Sequence, residues 1–327
     1  MSIVGNSILK VGNDVVKQLR NGSDLTYASL PLDTVSADLA YSFRNLSSSY
    51  TGNVITVRES SGNTTSDFTA DEVTDGTLTT FCGSADGFVT KWWDQSGNSR
   101  HATQTTAANQ PQIVTSGSLS VDSDGKPQLY FNNSNSSTVS GFDSRTSHMI
   151  FDTPLTTSPG GFSGINTAAY YCVMKLVTTT GFGYLLNLTS DGSKGFGLLD
   201  LSAYASLGNS IAGFFGSSSG AADQRMVSPS DTNTHLLVQR AYSDAPGVFP
   251  KQQRYHADGV QTGSNNTTPS NRFNGTQGNI NELGGTSPSG FAGHQFQQEI
   301  IAFDTSTEAN PNQTALEFNI NTYYDIF

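Results

Sequence analysis

The chain has little charge, few cysteines and no long apolar run. Only 13% of its 327 residues are charged, and it contains two cysteines and 33 glycines. No segment approaches the roughly 20 consecutive apolar residues of a membrane-spanning helix, so we expect no membrane partner. Polar, uncharged, glycine-rich chains with short apolar runs are typical of β-sandwiches and barrels.

Basic residues are also scarce. The chain has 16 Lys and Arg against 27 Asp and Glu, which gives a formal net charge of −11. Phosphate repels such a surface, so we expect no nucleic-acid partner. Cys82 and Cys172 have no metal-ligand spacing and are predicted to be buried free thiols. The N-terminus lacks the charged and apolar regions of a signal peptide, and no cofactor is expected.

The first 30 residues are predicted to be an arm, with residues 31–327 as one sandwich. Gly12-Asn13 lies between two apolar segments and predicts a hairpin turn. An isolated hairpin is marginally stable, so the arm is expected to lean on its own sandwich, a sister subunit or a neighbouring protein. The assembly residues predicted in the arm are Ile8, Leu9, Val11, Val15, Val16 and Leu19.

The segment after the arm begins with two helical patterns. Apolar positions at Val35, Leu39 and Phe43 follow helical spacing and predict an amphipathic helix over 34–47. A strand is predicted over 53–59, and Thr69 with Glu72 forms a capping box before a short helix.

From about residue 117 the pattern becomes all-β. Strands are predicted over 168–177, 235–240 and 295–303, and Asp258-Gly259 predicts a hairpin. Residues 262–290 are interpreted as a long loop. The last segment predicts a helix whose apolar face comprises Leu316, Phe318, Ile320 and Tyr323.

The stretch 88–114 contains both tryptophans. Trp92 and Trp93 are adjacent on a predicted strand, so they point to opposite faces, one towards the core and one outwards. Asp94 follows directly and is interpreted as a turn former, with a catalytic role as the alternative. An aromatic platform surrounded by polar groups is a common arrangement for sugar binding, and the candidate carbohydrate-binding residues are Trp92, Asp94, Tyr130 and Tyr184.

Carboxylates outside this stretch are also candidates for chemistry. Glu299 lies in an apolar strand, where burial would suit general acid catalysis; we expect it instead at an outward position of the alternating pattern. Asp122, Asp124 and Asp143 are loop carboxylates of the type that binds Ca²⁺, although loop aspartates are usually solvated. No metal site is therefore assigned. The histidines form no zinc motif, and no GxSxG or P-loop occurs.

Two motifs carry a resemblance to known proteins. AYSFRNLSSSYTG at 40–52 and WDQSGN at 93–98 resemble the N-terminal part of the α-L-arabinofuranosidase B catalytic domain. They are also similar to motifs of bacteriophage structural proteins with a laminin-G-like domain, which the C-terminal segment 298–327 resembles as well. Both resemblances imply a mainly β fold: a concanavalin A-like (laminin-G-like) sandwich jelly roll with a few short helices and an N-terminal arm.

The resemblances leave three functions open. The arabinofuranosidase nucleophile and acid lie downstream of WDQSGN, where the resemblance fades, so no residue is assigned to those roles. The family's adjacent cysteine pair has no counterpart here. The first expectation is a non-enzymatic virion surface protein of a tailed bacteriophage, a capsid decoration or a fibre or receptor-binding component with weak glycan adhesion. It would form a homo-oligomer, in particular a trimer, with other virion proteins and a host glycan as partners. The alternatives are an arabinofuranosidase-like glycoside hydrolase and a cellular lectin.

Overall fold

A computed structural model describes the chain in segments. The described residues are 8–11, 14–20, 24–26, 29–132, 147–153, 167–178, 183–190, 194–200, 210–217, 224–229, 231–242, 252–265, 280–285, 293–303 and 312–327.

Strands dominate the described part of the chain. In the first half they are β1 Ile8–Val11, β2 Asp14–Arg20, β3 Asp24–Thr26, β4 Leu39–Ser42, β5 Ile55–Glu59, β6 Thr65–Phe68, β7 Gly87–Trp92, β8 Ala102–Thr103, β9 Gln112–Thr115, β10 Ser118–Leu119, β11 Leu129–Phe131 and β12 Met149–Phe151. The second half contains β13 Thr167–Leu176, β14 Gly183–Ser190, β15 Lys194–Asp200, β16 Ser210–Ser217, β17 Gln224–Pro229, β18 His235–Tyr242, β19 Gln252–Ala257, β20 Val260–Asn265, β21 Ile280–Leu283 and β22 Gln295–Phe303. The helices are α1 Pro31–Thr34, α2 Ala70–Thr74, α3 Thr77–Cys82 and α4 Asn312–Tyr324, with a 3₁₀ turn at Ala107–Asn109.

These strands form two antiparallel sheets packed as a sandwich, as predicted. The long sheet has the order β6-β5-β7-β8-β12-β21-β14-β15-β16-β17. In the short sheet β22 pairs with β4 and β11 on one edge, and β13-β18-β19-β20 follow on the other. Because β9 bonds to both β7 and β11, ladder bonds link the two sheets along one side. The finer expectation of a jelly roll stays a prediction.

Side chains of the short sheet alternate between two apolar clusters, one on each face of the sheet. Even-numbered positions of β13, such as Tyr170 and Cys172, pack into the core between the sheets. Odd-numbered positions, such as Tyr171, face the second cluster, which α4 covers. The short sheet is therefore buried on both faces. Cys82 and Cys172 are buried free thiols, as expected, and no helix among the described residues is long and apolar enough to cross a membrane.

The N-terminal segment forms a separate three-stranded sheet, β1-β2-β3. The predicted hairpin is confirmed, because Val11 of β1 pairs with Asp14 of β2. The side chains of the assembly residues Ile8, Leu9, Val11, Val15, Val16 and Leu19 lie outside the described part of the chain. Their assembly role and the division near residue 30 stay predictions.

Several local signals are also confirmed. Thr69 and Glu72 form the predicted capping box of α2. Asp258 and Gly259 both have positive φ, 52° and 76°, and connect β19 to β20 as the hairpin pattern requires. On α4, Leu316 and Ile320 are buried as predicted, but Phe318 is 38% exposed and does not belong to the buried face.

The helix predicted over 34–47 is wrong. Only α1 forms there, and the chain then enters β4, whose four residues are all buried. Ala40 packs towards α4 whereas Tyr41 packs between the sheets. Apolar residues buried on both faces of a strand form a continuous run, which single-sequence periodicity cannot distinguish from a helix.

A buried ion pair joins β4 to β22 and α4. The Arg44 guanidinium donates to both carboxylate oxygens of Glu299, at 2.8 and 2.9 Å, and to Asn319 Oδ1 at 3.0 Å. Ser42 Oγ and the Tyr324 hydroxyl also donate to Glu299. Burial alone would lower the pKa of Arg44, but the adjacent Glu299 carboxylate raises it above its usual value.

The expectation that Glu299 points outwards is therefore wrong. Its side chain is buried beneath α4 and its carboxylate is paired with Arg44, which excludes a role as a free general acid. The strand is buried on both faces, so the alternation that was expected to expose Glu299 to solvent instead places it under the helix.

Replacing Glu299 by Ala is predicted to destabilise the fold by about 3–5 kcal/mol, because the Arg44 charge would stay buried without its partner. Urea unfolding followed by circular dichroism measures this. The control Glu72→Ala removes a capping carboxylate and should cost only about 1 kcal/mol. Equal losses from both variants would contradict a buried, energetically important pair.

A second ionic contact holds the turn between β19 and β20. His235 bonds Asp258 Oδ2 through Nδ1 at 2.7 Å and Asp231 Oδ1 through Nε2 at 2.9 Å. Burial by itself lowers the pKa of His235, but the bonds and charges of Asp258 and Asp231 outweigh it and raise that pKa. The contact is therefore strongest when the imidazole is protonated.

We predict that this contact stabilises the fold in acid and weakens as the pH rises. When the pKa of a group is raised in the folded state, its contribution to the free energy of unfolding is complete below the unfolded-state pKa, about 6.5 for His. That contribution is lost as the pH rises through the folded-state pKa. The difference in free energy of unfolding between the wild type and His235→Gln should be larger at pH 5.5 than at pH 9. A difference that grows with pH would contradict the assignment.

Candidate functional site

The two tryptophans occupy opposite faces of the long sheet. Trp92 is fully buried, with ring centroids 5.5 Å from Tyr41 and 5.0 Å from Phe43. Trp93 follows β7 on the outer side and is half-buried. The predicted alternation is confirmed, but Trp92 is the wrong choice of sugar platform, since no ligand can reach its ring.

Asp94 is a turn former. It is 4% exposed. Its carboxylate accepts hydrogen bonds from the backbone N–H groups of Ala40, Ser96 and Arg100 at 2.8, 3.0 and 3.0 Å. With its oxygens committed to the backbone, Asp94 is not available to bind a sugar or transfer a proton, so its candidate binding role is corrected to a structural one.

Tyr130 is not brought to Trp93. Tyr130 lies on β11, where its hydroxyl bonds His294 Nε2 at 2.8 Å and its ring stacks on Phe296 at 4.9 Å. It is not among the residues that line the cavity beside Trp93. Tyr184 lies on β14, and its side chain is outside the described residues.

An open cavity of about 590 Å³ lies over Trp93 on the outer face of the long sheet. Such a volume falls within the usual range for small-molecule sites. The cavity is lined by Thr56, Arg58, Thr65, Asp67, Thr90, Lys91, Trp93, Thr103, Gln104, Thr105 and Gln110. One aromatic ring is thus surrounded almost entirely by hydroxyl, amide and charged groups.

Hydrogen bonds and stacking hold Trp93 in place. Its indole Nε1 donates to Thr56 Oγ1 at 3.0 Å, and Lys91 Nζ lies 4.3 Å from the ring centroid. The His101 ring packs against Trp93 edge-on at 4.7 Å. Burial and the nearby Lys91 charge lower the pKa of His101, and its Nδ1 accepts the Asp94 N–H at 3.0 Å. The imidazole is therefore neutral at pH 7 and supports the indole in one orientation.

The polar groups of the cavity are also pre-oriented. Thr56 Oγ1 donates to Asp67 Oδ1 at 2.6 Å, and Arg58 Nε donates to Gln110 Oε1 at 2.8 Å. Asp67 is exposed. Carboxylate, amide and guanidinium groups fixed in this way offer both donors and acceptors to a polyhydroxylated ligand.

The face that carries Trp93 continues across the long sheet. Residues paired directly across neighbouring strands share a face. Strand register places one row of such partners on the outer face, in the order Asp67, Thr56, Lys91, Thr103, Ile150, Glu282 and Asn187. The adjacent positions Leu186 and Leu283 point to the core, so Glu282 and Asn187 lie on the opposite side of the sheet, where both are buried.

Sequence reasoning missed most of this row. Glu282 and its strand β21 fall within residues 262–290, which were interpreted as a loop; the structure instead shows β20 continuing to Asn265 and β21 at Ile280–Leu283. The Trp92-Trp93 alternation was the signal that could have indicated Trp93. No local pattern marks Glu282 or Asn187, because only strand pairing brings them beside residues 91–103.

Asp122, a candidate calcium ligand, has its carboxylate oxygens bonded within the protein. Asp122 Oδ1 accepts the backbone N–H groups of Asp124 and Lys126, and Asp122 Oδ2 accepts from Gln298 Nε2, so Asp122 shapes a turn. Asp143 lies outside the described residues. Within the described ranges, no group of three or more His, Cys, Asp or Glu side chains could hold a metal ion.

Comparisons with known proteins support the fold. No known protein family and no curated protein sequence matches the chain. Among solved structures, it is similar to an arabinofuranosidase complexed with arabinofuranosyl-α-1,2-xylobiose, with a TM-score of 0.59 and 14% identity, covering 88% of this chain and 62% of that one. It is also similar to a mutant GH54 α-L-arabinofuranosidase soaked with 4-nitrophenyl α-L-arabinofuranoside. The TM-score is 0.60 and the identity 13%, and the match covers 88% of this chain and 63% of that one. The chain thus spans under two thirds of these structures.

These neighbours correct the functional expectation. The prediction of a non-enzymatic virion structural protein is wrong, because solved structures similar to this chain over 88% of its length include arabinofuranosidases, which are glycoside hydrolases. The resemblance of residues 40–52 and 93–98 to arabinofuranosidases agrees with the fold, whereas nothing tests a phage origin. Virion partners, a trimer, a host glycan and a virion location stay predictions.

Proposed function

We propose that this chain is a carbohydrate-active enzyme, a glycoside hydrolase with an arabinofuranosidase-like β-sandwich, and that it holds its glycan on the outer face of the long sheet. The observation that carries the proposal is the cavity over Trp93, where an indole ring lies among fixed hydroxyl, amide and charged side chains.

The chemistry of this cavity fits a sugar. One face of a sugar ring presents C–H groups that stack on an aromatic plane, and an amphipathic ring such as indole gains apolar contact there while its N–H keeps a polar partner. Asp67 supplies acceptors and Arg58 supplies donors at the rim. The fold neighbours act in the same class, since their structures contain an arabinofuranosyl-xylobiose and a nitrophenyl arabinofuranoside.

The shape of the site favours a chain-like substrate. Neighbouring strands lie about 4.8 Å apart, so the two strand steps from Lys91 through Thr103 to Ile150 span about 10 Å. A ligand lying across the strands would contact the Trp93 cavity at one end and the exposed Ile150 of β12 at the other. We infer an arabinofuranosyl-substituted polysaccharide as the substrate class.

Replacing Trp93 by Ala is predicted to weaken binding of an arabinoxylan oligosaccharide at least about tenfold, which corresponds to about 1.4 kcal/mol, because the stacking plane is lost. Isothermal titration calorimetry measures the affinity, and release of nitrophenol from 4-nitrophenyl α-L-arabinofuranoside measures hydrolysis by the wild type. The control Phe318→Ala removes an exposed aromatic on α4 and should leave both unchanged.

Two results would contradict the proposal. Equal loss of affinity in Trp93→Ala and Phe318→Ala would show that the glycan does not bind at the Trp93 cavity. Failure of the wild type to bind any arabinofuranosyl oligosaccharide would contradict the proposed substrate class.

A further inference from the structure

Two cations line the Trp93 cavity without a carboxylate partner. Lys91 Nζ lies over the Trp93 ring, 4.3 Å from its centroid, and forms no hydrogen bond or ion pair with any described residue. Arg58 donates from Nε to Gln110 Oε1 and from Nη1 to Asn63 Oδ1, both at 2.8 Å, while no acceptor among the described residues reaches its Nη2. Because Lys and Arg side chains carry donors only, the cavity presents unused N–H groups and positive charge to a ligand.

Both cations are accessible from the cavity. Each of them lines it and is only partly buried. Lys91 of β7 pairs with Thr56 of β5, and Arg58 follows Thr56 by two residues on the same strand. Since side chains two residues apart on a strand share a face, Arg58 and Lys91 both project from the outer face of the long sheet. A ligand in the cavity therefore meets both.

The carboxylates at this site already have donors within the protein. Asp67 accepts from Thr56 Oγ1 at 2.6 Å and from Asn53 Nδ2 at 3.1 Å, and Asp152 accepts from Thr103 Oγ1 at 2.8 Å. Neither carboxylate forms an ion pair with the two cations. The protein thus supplies donors for its own acceptors here but no carboxylate for its cations, so the group that completes the site is an anion brought by the ligand.

The formal net charge of −11 does not prevent such binding. Salt screens exposed charges that lie more than about 8–10 Å apart at physiological ionic strength, so a bound ligand interacts mainly with the groups that line the cavity. A nucleic acid carries a phosphate at every nucleotide and would also meet the acidic surface around the cavity. A glycan with isolated carboxylates meets the local cations alone.

We propose that Lys91 and Arg58 bind the carboxylate of an acidic sugar, so that the substrate is an arabinofuranosyl polysaccharide that also carries hexuronic acid substituents; the inference rests on the proposed function. The planar Arg58 guanidinium matches a carboxylate in shape. For Lys91, a charge-assisted hydrogen bond to a carboxylate is stronger than a contact with an exposed ring face. The ammonium group therefore moves from the Trp93 ring to the ligand, and the ring plane opens to a stacking sugar.

The inference is tested with two arabinofuranosyl-substituted xylo-oligosaccharides of equal length, one with a glucuronic acid substituent and one without. Calorimetry measures both affinities at about 0.01 M and about 1 M salt, where the screening lengths differ about tenfold. The wild type should bind the acidic oligosaccharide about fivefold more tightly at low salt, as expected for contacts between partly exposed charges, and this preference should shrink at high salt.

Variants at the two cations locate the preference. Lys91→Gln and Arg58→Gln should each reduce it to less than about twofold, while affinity for the neutral oligosaccharide changes by less than about twofold. Lys91→Arg should keep it, since the charge remains. Lys175→Gln is the matched control, because Lys175 Nζ lies over the Phe296 ring at 4.9 Å on the short sheet. That change removes the same charge and the same kind of ring contact away from the cavity, and should leave the preference intact.

The outcomes separate this inference from the function on which it rests. Equal affinities of the wild type for the two oligosaccharides at low salt would overturn the inference and leave the proposed function standing. A preference that Lys91→Gln and Lys175→Gln reduce equally would also overturn it, because overall charge and not the cavity would then set the preference. Binding of neither oligosaccharide would contradict the proposed function and, with it, this inference.

Discussion

The structure depends on how the loop after β7 and the strand β22 hold β4 between them. Asp94 accepts the Ala40 N–H, and Gln95 Nε2 donates to the carbonyls of Ser42 and Arg44 at 3.1 and 2.9 Å while its Oε1 accepts the Leu46 N–H. Side chains thus take the place of a neighbouring strand along β4. This explains physically why the 40–52 and 93–98 motifs occur together: each satisfies the buried backbone of the other.

Fixing β4 also fixes which residues face outwards. The strand brings Tyr41 and Phe43 against Trp92 and thereby orients β7, so that Lys91 points to the outer face. The strand register then sets which residues of β8, β12, β21 and β14 lie on the same side of the sheet as Lys91. Since side chains alternate strictly along a strand, one slipped residue would send Glu282 into the core and Leu283 outwards. The candidate site is therefore a consequence of strand register rather than of a local motif.

The sequence predicted those features that depend on neighbouring residues. The capping box at Thr69, the Asp258-Gly259 turn and the opposed tryptophans all follow from spacing of four residues or fewer. Features that depend on distant pairing could not be predicted. β4 was interpreted as a helix because its partners lie more than 50 and 250 residues away, and Glu299 was expected outside because α4 packs over it from the end of the chain. The outer-face neighbours Thr103 and Ile150 likewise come together only through the pairing of β8 with β12.

The most direct measurement of the central claim is a crystal structure of the protein soaked with an arabinofuranosyl-substituted xylo-oligosaccharide. The account predicts density for a sugar ring stacked on Trp93, with the chain extending across β8 and β12. Density on another surface, at a concentration that saturates binding in solution, would contradict the account.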